Sequence, residues 1–190
     1  MLAVIKERGR QMRNNKARKV ALTGMLFALS ITLSFLESMV TPLLGLMPAM
    51  KLGLSNIVVM YALVFLQPAQ AGALVLLKAL FALMTRGVTA GFLSLLGGSC
   101  SFLTLWILLR LPWRPTGYIF SVTGALTHNL GQLFGAALIL SSNLALGYAP
   151  VLMVAGVVVG SLTSCISHAL FPALFRLLPG TDGRKPRISF

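Results

Sequence analysis

"ALTGMLFALSITLSFLESMVT", residues 21–41, is a 21-residue run with a single charged side chain, Glu37. An α-helix rises about 1.5 Å per residue and crosses the roughly 30 Å hydrocarbon layer of a bilayer in about 20 residues. The run therefore has the length and polarity of a membrane span. The rest of the chain shares that solvent: 57% of its 190 residues are hydrophobic, 10% are charged, and the mean hydropathy is +0.89. A soluble domain has no interior large enough for so much apolar surface. The expected fold class is an all-α integral membrane protein.

The net charge of +13 is explained by where the charges fall. Lys6, Arg8, Arg10, Arg13, Lys16, Arg18 and Lys19 precede the first apolar run, and Arg176, Arg184, Lys185 and Arg187 end the chain. Basic residues gathered at span ends orient a membrane protein, with the basic side in the cytoplasm. The tails face anionic headgroups, and no nucleic-acid partner is expected.

Punctuation between apolar runs predicts six spans: Ala21–Thr41, Leu52–Gln67, Pro68–Thr85, Phe92–Leu111, Gly117–Ser142 and Pro150–Leu178, with Pro172 bending or ending the last. "TPLLGLMP" and "LPWRPTG" are loops rich in proline and glycine, "SSNLALGYAP" closes the final loop, and Pro68 stands where a new helix can begin. The second helix is short and joined almost directly to the third, which leaves a five-span or re-entrant arrangement as the alternative. Six spans put Arg110 and Arg114 on the same side as both basic tails and leave only Lys51 and Arg86 toward the outside. Both termini are then cytoplasmic. The chain divides into a basic tail, 1–20, a membrane domain, 21–178, and a second basic tail, 179–190. A cleaved leader is the competing reading of the N-terminus, but the basic segment is long and no A-x-A site follows it.

Ionisable groups at membrane depth cost roughly 2.5–3.5 kcal/mol each on insertion scales, so each needs a reason. On the first helix Thr23, Ser30, Ser34, Glu37 and Thr41 fall within roughly 40° of one direction at about 100° per residue. That face looks at protein or water. In "GALTHNLGQLFGA", residues 124–136, His128, Asn129 and Gln132 span an arc of about 100°, bordered by glycines that admit close approach. Lys78 stands near the middle of the third helix. With Lys51, Asn56 and Arg86, these residues are the candidates for a substrate site in one outward cavity, and the excess of basic groups predicts a small-molecule ligand with an anionic group.

Each candidate also has a plainer reading. Glu37 and Lys78 can pair to fix helix register, Lys51 and Arg86 can snorkel, and His128 and Asn129 can be hydrogen-bonding glue between helices. Gly156-x-x-x-Gly160, continued by Thr163 and Ser167, predicts close helix packing inside the bundle. Cys100 and Cys165 lie in apolar runs without disulfide or metal spacing, so neither a metal nor another cofactor is expected.

Three stretches together resemble a known family: "PAMKLGLSNIVVMYAL" (48–63), "LLGGSCSFLTLWIL" (95–108) and "VTGALTHNLGQLFGA" (122–136). In that order and spacing they are similar to the bacterial membrane proteins called heptaprenyl diphosphate synthase component I, or the Gx transporter family. The resemblance covers roughly Ala21 to Leu178. That family is in turn similar in size and topology to the substrate-binding S components of energy-coupling factor (ECF) vitamin transporters. The resemblance implies a six-helix bundle in the bacterial cytoplasmic membrane that captures a small ligand from outside. It also implies ECF coupling and ATPase subunits as partners, with docking at Gly24 and Ala28 of the first helix. The S components carry alanine-x-x-x-alanine there, and this chain has glycine at the first position.

Catalysis is not expected. Prenyl diphosphate synthases hold magnesium diphosphate with aspartate-rich motifs, and this chain has one aspartate, Asp182. It also lacks the glycine-rich loop that cradles ATP phosphates. The first functional reading is a transporter's ligand-binding component. The alternative is a noncatalytic membrane subunit in heptaprenyl diphosphate or menaquinone synthesis. A third is a self-contained secondary transporter in which Glu37 and His128 carry a proton, which a chain of this size without an inverted repeat would need to dimerise to perform.

Overall fold

The computed structural model describes residues 2–44, 53–112, 115–139 and 142–177. Six α-helices make up the described architecture: α1 (Leu2–Val40), α2 (Asn56–Phe65), α3 (Pro68–Arg86), α4 (Val88–Arg110), α5 (Gly117–Ile139) and α6 (Ser142–Leu177), with a 3-10 turn at Thr41–Leu44 after α1. The family of expected helices is present, and several of its boundaries move.

Four stretches are long and apolar enough to cross a membrane: Ala17–Val40, Pro68–Arg86, Val88–Arg110 and Ala149–Ala169. The other two helices fall short of that measure for different reasons. α5 has 23 residues, but the side chains of Thr123, Thr127, His128, Asn129 and Gln132 dilute its apolar character. α2 has only 10 residues, about 15 Å of helix, against the 16 residues of the expected span Leu52–Gln67. Nine of those 10 residues are buried, and α2 touches each of the other five helices. It is the bundle's central post, apolar all round because it faces protein on every side.

The polarity of the bundle is reversed relative to a soluble protein. Ser30, Glu37, Asn56, Ser101, His128, Asn129 and Gln132 are buried, while Phe35, Leu36, Leu80, Met84, Phe134, Leu138 and Val158 are exposed on the outside. In water that surface would aggregate; against lipid tails it is solvated. The molecule is a membrane protein.

Local chemistry sets the helix boundaries. Pro68 occupies the first turn of α3, where its missing N–H costs nothing, and the Gln70 side chain accepts from the Gln67 backbone N–H at 3.1 Å. Gly87, at φ +90°, is the whole connection between α3 and α4, so α4 begins four residues earlier than expected. The hairpin is tight: a Cβ on Gly91 would stand 2.7 Å from Leu83 Cβ. α6 likewise starts eight residues before the expected Pro150, at Ser142, and carries Gly147 of the expected loop and Pro150 inside the helix. A proline in a helix interior forfeits one backbone hydrogen bond, and the helix continues past it here. α6 also runs through Pro172 to Leu177. At the other end of the chain α1 reaches back to Leu2, so the basic N-terminal segment is a continuation of the first helix.

Glycines set the closest crossings. The α5–α6 contact runs through Gly156 and Gly160, where added Cβ atoms would meet Asn129 Nδ2 at 3.0 Å and Val122 Cα at 2.7 Å. That is the use expected of the small-residue motif. On α4 the paired glycines divide the work: Gly97 faces α5 and Gly98 faces Val75 of α3.

Candidate functional site

The polar stripe of α1 turns inward. Ser30 and Glu37 are completely buried and Ser34 is partly so. Glu37 accepts a hydrogen bond from the backbone N–H of Gly53. Gly53 has φ +99° and lies against the His128 ring, where a Cβ would stand 3.2 Å from Cδ2. A side chain there would need both a disfavoured backbone conformation and space the imidazole already occupies. The chain entering α2 is thus held between a carboxylate of α1 and an imidazole of α5.

His128 continues the linkage along its own helix. Its Nε2 lies 2.7 Å from Gln132 Nε2, one turn on. With the Gln132 amide donating, Nε2 accepts and the ring proton sits on Nδ1. Both residues pack on Gly97, where a Cβ would meet the His128 carbonyl oxygen at 2.8 Å and Gln132 Cγ at 2.9 Å. Only a glycine on α4 lets α5 bring these two side chains so deep.

A pocket opens beside this junction. α1 contributes Ser30, Ile31 and Ser34, the residue before α2 contributes Ser55, and α3 contributes Lys78, Phe81 and Arg86. Ser94 of α4 and the His128–Gln132 pair of α5 close it. The cavity is small, about 20 Å³, room for about one water. The charge of Glu37, three residues after Ser34, acts on both Lys78 and Arg86. Ser30 Oγ and Arg86 Nη1 are buried with no hydrogen-bond partner among the described residues. Buried donors without acceptors are rare in native proteins and mark a place where a ligand or water belongs.

Of the candidates read from the sequence, the structure brings Lys78, Arg86, His128 and Gln132 to one pocket; Glu37 does not line it and is buried on the same stripe of α1 as Ser30 and Ser34. Lys51 lies outside the described residues. Asn56 and Asn129 sit elsewhere in the interior. Asn56 Nδ2 donates to Ser101 Oγ at 2.6 Å, and that hydroxyl donates to the Gly124 carbonyl at 2.9 Å, tying α2, α4 and α5 together. Asn129 Nδ2 donates to the Leu152 carbonyl at 2.7 Å, across α5 and α6. Gly24 and Ala28 are exposed on α1, and a Cβ on Gly24 would meet nothing within 4 Å.

Sequence reasoning missed Ser55 and Ser94, single hydroxyls in apolar surroundings with no pattern to announce them. Ser30 and Ser34 had a signal, since they share the stripe of Glu37. Among the described residues no group of three His, Cys, Asp or Glu side chains could hold a metal ion, and Cys100 and Cys165 are free.

Residues 26–170 match the family described as heptaprenyl diphosphate synthase component I. The chain belongs to that family. All the pocket residues of this component I protein, from Ser30 to Gln132, fall inside the matched stretch, as does Ala28; Gly24 lies two residues before it. No curated protein and no solved structure matches the chain.

Proposed function

We propose that this component I protein is the ligand-binding membrane component of a small-molecule transporter, taking a metabolite with an anionic group in the pocket between α1, α3 and α5. The observation that carries the reading is the convergence of Lys78, Arg86, His128 and Gln132, from two helices, on one cavity with buried donors left over. Such groups at membrane depth are costly and mark ligand or ion paths. The pocket has room for about one water, so a metabolite enters by parting the walls. α1 is the wall with least support among the described residues, where it packs on α2, α3 and its own 3-10 turn.

From α3 to α6 the helices alternate in direction. Glycine contacts set α4 antiparallel to α5 and α5 antiparallel to α6, and the one-residue link at Gly87 folds α3 back on α4. This supports six passes in a bacterial cytoplasmic membrane, α2 being a short one, with both basic termini in the cytoplasm. The chain has no ATP-binding loop, so the energy for transport comes from partners, ECF-type coupling and ATPase subunits that dock at Gly24 and Ala28. Native mass spectrometry of the protein purified in mild detergent from its host tests the reading. A bound polar metabolite supports it, and an empty bundle attached to a prenyl synthase overturns it.

A second reading is favoured by the family's description: a noncatalytic subunit of a heptaprenyl diphosphate synthase. A single aspartate in 190 residues fits a subunit that leaves the magnesium chemistry to another chain. Polyprenyl chain length and yield in a deletion strain decide it, since unchanged products remove that role.

A further inference from the structure

The pocket between α1, α3 and α5 has the volume of one small particle and a lining rich in hydrogen-bond donors. Its cavity of about 20 Å³ admits about one water. Serine hydroxyls reach it from three segments: Ser30 and Ser34 of α1, Ser55 before α2, and Ser94 of α4. Lys78 and Arg86 are its cationic side chains, and ammonium and guanidinium groups donate hydrogen bonds without accepting any. Among the described residues no carboxylate lines the pocket. The stretch 45–52, outside the described residues, holds one charged residue, Lys51, and no acidic one; wherever Lys51 stands, it brings no carboxylate to the lining. Ser30 is completely buried, and its Oγ and Arg86 Nη1 have no hydrogen-bond partner among the described residues. Two such donors in one cavity point to an occupant that accepts.

We propose that in this shape the pocket binds a single chloride ion, which the anionic group of the ligand displaces. The displacement rests on the reading of this pocket as the ligand site. A halide ion takes scarcely more room than a water and accepts hydrogen bonds from every side, so Ser30 Oγ and Arg86 Nη1 can both donate to it. A water of similar size must also find acceptors for its own hydrogens. An ion further meets the guanidinium and the ammonium as an opposite charge in a low dielectric, which a water does not. Sulfate, with its tetrahedron of oxygens, does not fit unless the walls part. Size therefore separates the two occupants: chloride enters the pocket as it stands, and a metabolite enters only the opened one.

Ser30→Ala separates an ion site from a packing role. The hydroxyl has no partner among the described residues to lose, so without chloride its removal should be neutral or stabilising. With chloride the same change removes a donor to the ion. Arg86→Gln keeps an N–H donor at the end of α3 and removes the positive charge.

The experiment replaces potassium sulfate with potassium chloride at constant ionic strength, on the full chain in mild detergent, and follows the chloride NMR line width. Wild type should broaden the line saturably. Ser30→Ala should raise the half-effect concentration about tenfold, the worth of one hydrogen bond to an ion, while unfolding in sulfate no earlier than wild type. Arg86→Gln should remove the saturable part. Broadening that does not saturate, or that both variants keep unchanged, overturns the inference. If Arg86→Gln does not fold, Ser30→Ala decides alone, and its own failure to fold in sulfate overturns the inference too. Displacement is read from native mass spectra of wild type dialysed against either salt: at the half-effect chloride concentration the natural adduct should bind about twofold more weakly. An adduct held equally in both salts overturns the inference. An adduct without saturable chloride binding also overturns it and leaves the metabolite reading standing. Saturable chloride binding with no adduct in any preparation supports the ion site and overturns the metabolite reading instead.

Discussion

Gly53 meets His128 so closely that a Cβ on the glycine would stand 3.2 Å from the ring's Cδ2, and the same glycine holds φ +99° while donating its N–H to Glu37. Gly53→Ala is expected to lower stability by about 1–2 kcal/mol from the backbone conformation alone, with a further cost from displacing the imidazole. Thermal unfolding in detergent reads the sum. Combining Gly53→Ala with His128→Ala should remove the second part and leave the first, so strictly additive losses would place the strain away from His128.

Asn129, completely buried, and Lys78, partly buried, are both polar side chains of helices, but they stand in different places. Asn129 Nδ2 bonds the Leu152 carbonyl across α5 and α6, so Asn129→Ala should cost about 0.6–1.7 kcal/mol of stability and leave ligand binding unchanged. Lys78 lines the pocket, so Lys78→Ala should abolish retention of the copurifying ligand while the bundle stays folded. Equal losses of binding and folding in both variants would mean that the pocket has no role distinct from packing.

Gly97 and Gly131 form the deepest part of the α4–α5 crossing. A Cβ on Gly97 would meet the His128 carbonyl oxygen at 2.8 Å, and one on Gly131 would meet the Leu96 carbonyl oxygen at 2.8 Å. Backbone atoms cannot rotate out of the way, so alanine at either position should cost about 1–3 kcal/mol. Detergent melts of the two variants check this, and wild-type midpoints for both would show that the helices can part without penalty.

How much of this was legible beforehand depends on the kind of signal. Lys78, Arg86, His128 and Gln132 could be read because charged or amide groups in apolar runs are conspicuous, and helical spacing put His128 and Gln132 on one side. Asn56 and Asn129 give the same signal, and nothing in a one-dimensional pattern tells a pocket wall from an interhelical bond. Ser55 and Ser94 were silent for the opposite reason: a lone serine is unremarkable in a membrane helix or at its end. The start of α3 was fixed by Pro68, a local device. The start of α6 was obscured because Gly147 and Pro150 are breakers only on average, and here the helix runs through both. The shortness of α2 is visible in the sequence as an ambiguous span, but its central position follows only from the contacts of all the other helices.

The face of α1 that carries Gly24 and Ala28 is exposed, and a Cβ on Gly24 has open space around it. Gly24→Ala should therefore leave the thermal midpoint within the change produced by about 0.5 kcal/mol. Gly24→Leu adds bulk on the same open face without disturbing the bundle's own core. If small residues there let a coupling subunit approach α1 closely, the leucine variant should fold like wild type, retain its ligand, and lose the partner on purification from host membranes. Copurification undiminished by leucine would remove this face from the docking surface, because a close helix contact cannot absorb an isobutyl group without separating.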